Sequence, residues 1–157
     1  MAHIHDKIDF CVEVFIVNKG RVLLRMHDKY KIWLSVGGHV ELHEDPTEAA
    51  IREVKEEVGL DIKLWDSRKW PENTDDYFTE LIPPISLGRH AAKHPTRTDH
   101  EHVTMVYLAT AESDTVTVEY AGDRSDEWRW FTKEELAAVE LRDNVRAYAT
   151  YALDTLS

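Results

Sequence analysis

The segment Gly37–Leu60, GGHVELHEDPTEAAIREVKEEVGL, constrains the fold of this chain more than any other. It carries signals for both ends of one helix. Asp45 is placed to cap it, Pro46 suits the first helical position, and Glu48 completes an Asp-x-x-Glu capping box. Ala50, Val54 and Val58 follow at i, i+4 and i+8 with Ile51 beside them, and Gly59 supplies the stop. At about 100° per residue these apolar positions span roughly 100° of arc facing a core. Glu53, Glu56 and Glu57 fall in the adjoining arc as i, i+3 and i+4, so three carboxylates are neighbours at the edge of the buried face.

That crowding has two physical resolutions. The whole segment holds Glu41, Glu44, Asp45, Glu48, Glu53, Glu56 and Glu57 against Arg52 and Lys55. A solvated helix would relieve the repulsion through pairs such as Glu48 with Arg52 and Arg52 with Glu56. A hard divalent cation would relieve it more fully, because Mg²⁺ and Mn²⁺ prefer oxygen ligands and reverse the upward pKa shifts that adjacent carboxylates impose. Helical spacing alone favours the solvated helix, since Glu is a good helix former.

The rest of the chain sets the frame. Its 157 residues suit a single domain over 1–157 with a core of its own. A net charge of −11 argues against nucleic acid or an anionic membrane surface as a partner. No apolar run is long enough to span a bilayer, the opening MAHIHDKIDF lacks the pattern of a secretory leader, and Cys11 is the single cysteine, so a reducing, cytoplasmic setting is expected. FCVEVFIV and RVLLRM read as a hairpin about Asn18-Lys19-Gly20. KIWLSV leads to a break at Gly37-Gly38, with HVEL as a short strand after it. DIKLW, HVTMVYLAT, VTVEY and EWRWF read as further strands, and DYFTELI is the one strand suggested within Trp65–Asp99. Thr132–Glu135 is a second capping box, and the last helix, near Asp143–Leu156, presents Val145, Tyr148, Ala149, Ala152, Leu153 and Leu156 at helical spacing. Strands interleaved with a few helices give an α/β class with a mixed sheet.

Gly38, five residues, Glu44, seven residues, then Arg52-Glu53-Val54-Lys55-Glu56-Glu57-Val58-Gly59-Leu60 resembles the Nudix box, G-x5-E-x7-R-E-U-x-E-E-x-G-U, at every fixed position. The resemblance extends to FIVNKGRVLLRM, HVTMVYLA and EWRWFTKEEL, and leaves only Trp65–Asp99 uncovered. It implies a Nudix-like α/β/α sandwich with a mixed β-sheet. It also implies an activity: divalent-metal-dependent hydrolysis of a diphosphate linkage in a nucleoside diphosphate derivative. The substrate would be a phosphorylated small molecule such as an NTP or dNTP, a nucleotide sugar or a dinucleoside polyphosphate. The family resemblance makes Glu53, Glu56 and Glu57 the expected ligands of Mg²⁺ or Mn²⁺, with the Gly38 carbonyl as a further ligand. Arg52 and Glu44 become a supporting ion pair. Glu53 and Glu56 are both candidates for the general base, as are Glu127 and Asp123 outside the box. A homodimer is also compatible with the family.

Further residues are candidates by position. Arg25, on the strand before the box, is placed to meet a substrate phosphate or to lie on the surface of a hairpin. Trp33, Tyr77 and Trp130 offer faces for a base, although a core role is the more common fate of such aromatics. Tyr77 follows Leu60 at a spacing similar to that of a tyrosine in the dinucleoside polyphosphate branch. Val36 stands where the family has a proline before its two glycines. Of the nine histidines, His39 and His43 occupy variable positions inside the box, His100 and His102 alternate on a strand, and His90 and His94 would share a helix face. With no matching cysteine set, solvated or hydrogen-bonded histidines are expected rather than a zinc site. Two competing functions are weighed: a nucleotide-binding sensor without turnover, disfavoured by three intact glutamates, and a prenyl diphosphate isomerase, which would require Cys11 as its catalytic cysteine.

Overall fold

The computed structural model describes residues 7–27, 31–92, 100–117 and 127–157. Asp123, His94 and most of VTVEY lie outside the described residues. The described strands are β1 (Ile8–Asn18), β2 (Arg21–His27), β3 (Ile32–Leu34), β4 (Val36–His39), β5 (Ile62–Leu64), β6 (Ser86–Ala91), β7 (Glu101–Ala111) and β8 (Trp128–Phe131). The helices are α1 (Pro46–Val58), α2 (Lys133–Ala138) and α3 (Asp143–Leu156).

The eight described strands form one mixed sheet. Its centre is the parallel pair β1–β7, in register from Ile8 with Glu101 to Val17 with Thr110. β1 pairs antiparallel with β2 and β4, and β7 with β5 and β6. Lys19 and Gly20, both at positive φ (48° and 70°), turn β1 into β2 as a two-residue hairpin requires.

The sheet is covered on both faces. Val12, Val14 and Ile16 of β1 join Ala49, Ala50, Val54 and Val58 of α1 in one buried cluster. Phe15 and Val17, on the opposite side of the strand, join Phe131, Leu136 and the inward residues of α3, Val145, Ala149, Ala152 and Leu153, in the other. No described helix is long and apolar enough to cross a membrane.

Four expectations are corrected. Ile51 is 48% exposed, because Ala49 takes the flank of the core-facing stripe. The two glycines do not precede a strand but lie inside β4, opposite Glu13 and Val12, and HVEL forms no strand beyond His39. A Cβ on Gly37 would stand 2.0 Å from the Val12 carbonyl oxygen, so the close approach of β4 to β1 requires glycine there. DYFTELI is not a strand. Asp75 accepts from the backbone N–H groups of Tyr77 and Phe78, and Glu80 holds Trp70 Nε1 and the Asn73 N–H, so side chains occupy the donors a strand would need. Pro83 and Pro84 follow with no N–H to offer. His90 is on β6, not a helix, and pairs with His102 across the strands.

Candidate active site

α1 is fixed at both ends before it meets the sheet. The Asp45 carboxylate accepts from the Thr47 and Glu48 N–H groups, Glu48 reaches back to the Asp45 N–H, and Gly59 closes the helix at φ 68°. Val54 and Val58 seat the helix on β1 and β4, and that fixes which way Glu53, Glu56 and Glu57 point.

Arg52 organises the first two of these glutamates. Its guanidinium forks onto Glu44, Nε to Oε2 at 2.9 Å and Nη2 to Oε1 at 2.6 Å, and Nη2 also donates to the His39 carbonyl at 2.9 Å. Nη1 donates to Glu53 Oε1 at 2.9 Å and to Glu56 Oε2 at 3.1 Å. One side chain therefore ties the loop before the helix, the end of β4 and two carboxylates together. The Arg52 hydrogen bond holds the Glu44 carboxyl below its ordinary value. Burial pushes the Glu53 carboxyl above its ordinary value, with Arg52 opposing and the charges of Glu56 and Glu44 adding to the rise.

Glu57 points elsewhere. Its Oε1 accepts from Arg25 Nη1 at 2.7 Å and its Oε2 from the Gly37 N–H at 3.2 Å. Both side chains of the Arg25–Glu57 pair are only 12% exposed. Arg25 thus sits against a glutamate of the box, with Trp128 flanking its guanidinium at 6.0 Å.

The absent side chain of Gly38 completes the cradle. A Cβ there would lie 2.4 Å from Glu53 Oε1 and 2.7 Å from Oε2, so the carboxylate rests directly on the glycine backbone. The donor set around this point is oxygen throughout, and it includes a carboxyl that burial and neighbouring charge have made costly to ionise. Both properties fit a hard divalent cation.

The remaining candidates are scattered. Trp33 is 8% exposed and packs edge-on against Phe131, centroids 5.0 Å apart, so it belongs to the core and offers no free face to a base. Tyr77 is 98% exposed on the loop after β5. Trp130 is half-buried, donates from Nε1 to the Asp114 carbonyl and is flanked by Arg21. Glu127 is exposed, and its carbonyl accepts from the Met26 N–H. His43 is exposed beside Glu41. Cys11 is buried on β1. Burial first, then the charges of Asp9, Glu13 and Glu53, push its thiol up to about 12, the reverse of an activated cysteine.

Two features escaped the sequence reading. Glu13 projects from the centre of β1, where burial raises its pKa and Ser35 Oγ donates to it at 3.2 Å. A lone Glu in an otherwise apolar strand was the available signal. The second is a group of histidines from separate strands, His39, His90, His100 and His102, gathered beside Asp9 and Cys11.

The architecture is thus a mixed sheet between helices, with a glycine strand laid under a glutamate-bearing helix. A model of the NUDIX domain matches residues 9–153. The chain belongs to the Nudix family of hydrolases. A NUDIX-family hydrolase from Clostridium perfringens is 34% identical, with a TM-score of 0.77 over 95% of this chain and 98% of that one. A MutT NUDIX hydrolase from Burkholderia pseudomallei is 25% identical, with a TM-score of 0.61 over 97% and 100%. Among curated relatives, an RNA pyrophosphohydrolase of Roseobacter denitrificans is 28% identical over 140 residues, 86% of this chain and 80% of the relative.

Proposed function

We propose that this Nudix enzyme hydrolyses a diphosphate linkage in a nucleoside diphosphate derivative by attack of water on phosphorus. The observation that carries the reading is the placement of Glu53 on the Gly38 backbone, tied through Arg52 to Glu56. Glu53, Glu56 and the Gly38 carbonyl would hold Mg²⁺ or Mn²⁺, and Glu57 would join them only on leaving Arg25 and the Gly37 N–H, which hold its two oxygens. When bound, such an ion supplies charge neutralisation of the phosphoryl oxygens and a lowered pKa for water.

The chain's own residues supply position and proton transfer. The Arg52–Glu44 fork sets the loop against α1 and keeps the carboxylates from turning away. Glu53 and Glu56, both held by Arg52 Nη1, are the two box carboxylates placed to accept a proton from the attacking water. Arg25 holds Glu57 in place and brings a positive charge beside the box glutamates, where it would also stabilise an incoming phosphate. The isomerase alternative loses its support with a buried, high-pKa Cys11.

The curated relatives named RNA pyrophosphohydrolase favour a second substrate, the 5′-polyphosphate end of an RNA. A net charge of −11 suits recognition of that end alone rather than a long run of backbone. The test is a phosphate-release screen with Mg²⁺ or Mn²⁺ against dNTPs, nucleotide sugars, ADP-ribose, dinucleoside polyphosphates and a short 5′-triphosphorylated RNA. Glu56→Gln is the control. Turnover that needs no metal, or that survives this substitution, defeats the mechanism. Nucleotide binding without turnover establishes the sensor instead.

A further inference from the structure

The histidine group lies on the face of the sheet opposite α1. Side chains alternate along β4, so Gly38 faces Glu53 while His39 faces the other way. Cys11 is the register partner of His39 across β1–β4, Asp9 that of His102 across β1–β7, and His90 that of His102 across β6–β7. Four adjacent strands therefore deliver their donors to one spot.

The donors are close. One ligand atom each from Cys11, His39 and His102 lies within 4.8 Å of the others, and the same holds for Asp9, His100 and His102. The rings of His39 and His102 meet edge to face at 5.0 Å, and His100 Nε2 stands 3.1 Å from Asp9 Oδ2. Asp9 and His100 are each only 2% exposed, whereas His39 and His102 are half-buried.

We infer that Cys11, His39 and His102 form a binding site for a zinc-class divalent ion, separate from the glutamate site on α1. Thiolate and imidazole suit Zn²⁺ and Co²⁺ and are poor ligands for Mg²⁺. Ligands of a tetrahedral zinc ion stand about 3.5 Å apart, so side-chain adjustments of about 1 Å close the set. Asp9 lies 3.6 Å from His39 Nε2 and pairs with His100, and so supplies the anionic partner that orients metal-bound imidazoles. Binding converts the Cys11 thiol to a thiolate and releases its proton to solvent.

The consequence is mechanical. An ion here clamps β1, β4 and β7 at the residue next to Gly38, and so stiffens the strand on which Glu53 rests. The site neither needs nor implies the hydrolytic reading, and its test avoids turnover altogether.

Metal-free protein carrying Glu53→Gln and Glu56→Gln is titrated with Co²⁺ in excess Mg²⁺. One equivalent should bind with tetrahedral d–d bands and a thiolate charge-transfer band, and Zn²⁺ should displace it. Cys11→Ser should abolish the charge-transfer band, and His102→Ala should weaken binding at least tenfold. His39→Gln, at a half-exposed position, serves as the second variant should His102→Ala fail to fold, with the same tenfold loss expected. No cobalt bound, binding without the charge-transfer band, or binding that Cys11→Ser leaves intact overturns the assignment.

Discussion

Replacing Gly38 by alanine isolates the contact on which the catalytic reading depends. The added Cβ would lie 2.4, 2.5 and 2.7 Å from Oε1, Cδ and Oε2 of Glu53. Carbon and oxygen atoms in favourable contact stand about 3.5 Å or more apart, so the carboxylate must retreat by about 1 Å. It can do so, because it ends a flexible side chain and the clash involves no backbone atom. The fold should therefore survive with a loss of about 1 kcal/mol or less. Catalysis should not survive as well, since a 1 Å misplacement of a reacting group costs about 100-fold in rate. The assay is initial-rate phosphate release on the best substrate of the screen, alongside urea denaturation and Mn²⁺ binding by electron paramagnetic resonance. Turnover within threefold of wild type, in a protein of wild-type stability, would refute the claim that Glu53 acts from the Gly38 backbone. Gly37→Ala is the contrasting control: its Cβ meets the Val12 carbonyl at 2.0 Å, backbone against backbone, and the expected failure is of folding rather than of rate.

Arg52→Ala should cost about 2–3 kcal/mol in urea denaturation, since it strands the 7%-exposed Glu44 side chain, and should lower kcat as well. Glu44 has a depressed pKa in the folded protein, so its stabilising contribution is full at neutral pH and is lost as pH falls through that value. The stability gap between wild type and Glu44→Gln should accordingly shrink on acidification below the ordinary carboxylate range, and a gap that widens would reverse the assignment. Trp33→Ala should destabilise by about 3–5 kcal/mol, whereas Tyr77→Ala should leave the melting temperature unchanged and report only on substrate through KM. Cys11 should resist alkylation at neutral pH in the native protein and react on unfolding, measured by mass spectrometry.

The local elements were readable because their signals are local. Asp45, Pro46, Glu48 and Gly59 bound α1 at the residues where the structure begins and ends it, and Thr132 with Glu135 does the same for α2. The Nudix spacing was readable for the same reason: 23 contiguous residues hold Gly38, Glu44, Arg52 and the glutamates in one loop and one helix. Contacts that depend on strand register were not. Ser86–Ala91 has little β-branched content and becomes a strand only because β7 offers it a pairing edge. Arg25 and Glu57 are 32 positions apart and meet only after β2 is laid beside the helix. Residues 11, 39 and 102 have no spacing that signals a ligand set, and they converge only through the pairing of β1 with β4 and β7.

The parallel pairing of β1 with β7 also governs when this protein can fold. Asn18 donates to the Ala111 carbonyl across 93 residues, and every residue of β1 from Ile8 to Val17 has a partner between Glu101 and Thr110. A chain emerging from the ribosome has completed the Gly38–Asp45 loop and α1 long before β7 exists. Until then the apolar strand Phe10–Val17 lacks its central neighbour. Contacts of such long sequence separation slow folding and expose an unpaired strand edge in the interval. The order of synthesis thus makes the first strand, rather than the glutamate-bearing helix, the part of the nascent chain most in need of protection from aggregation.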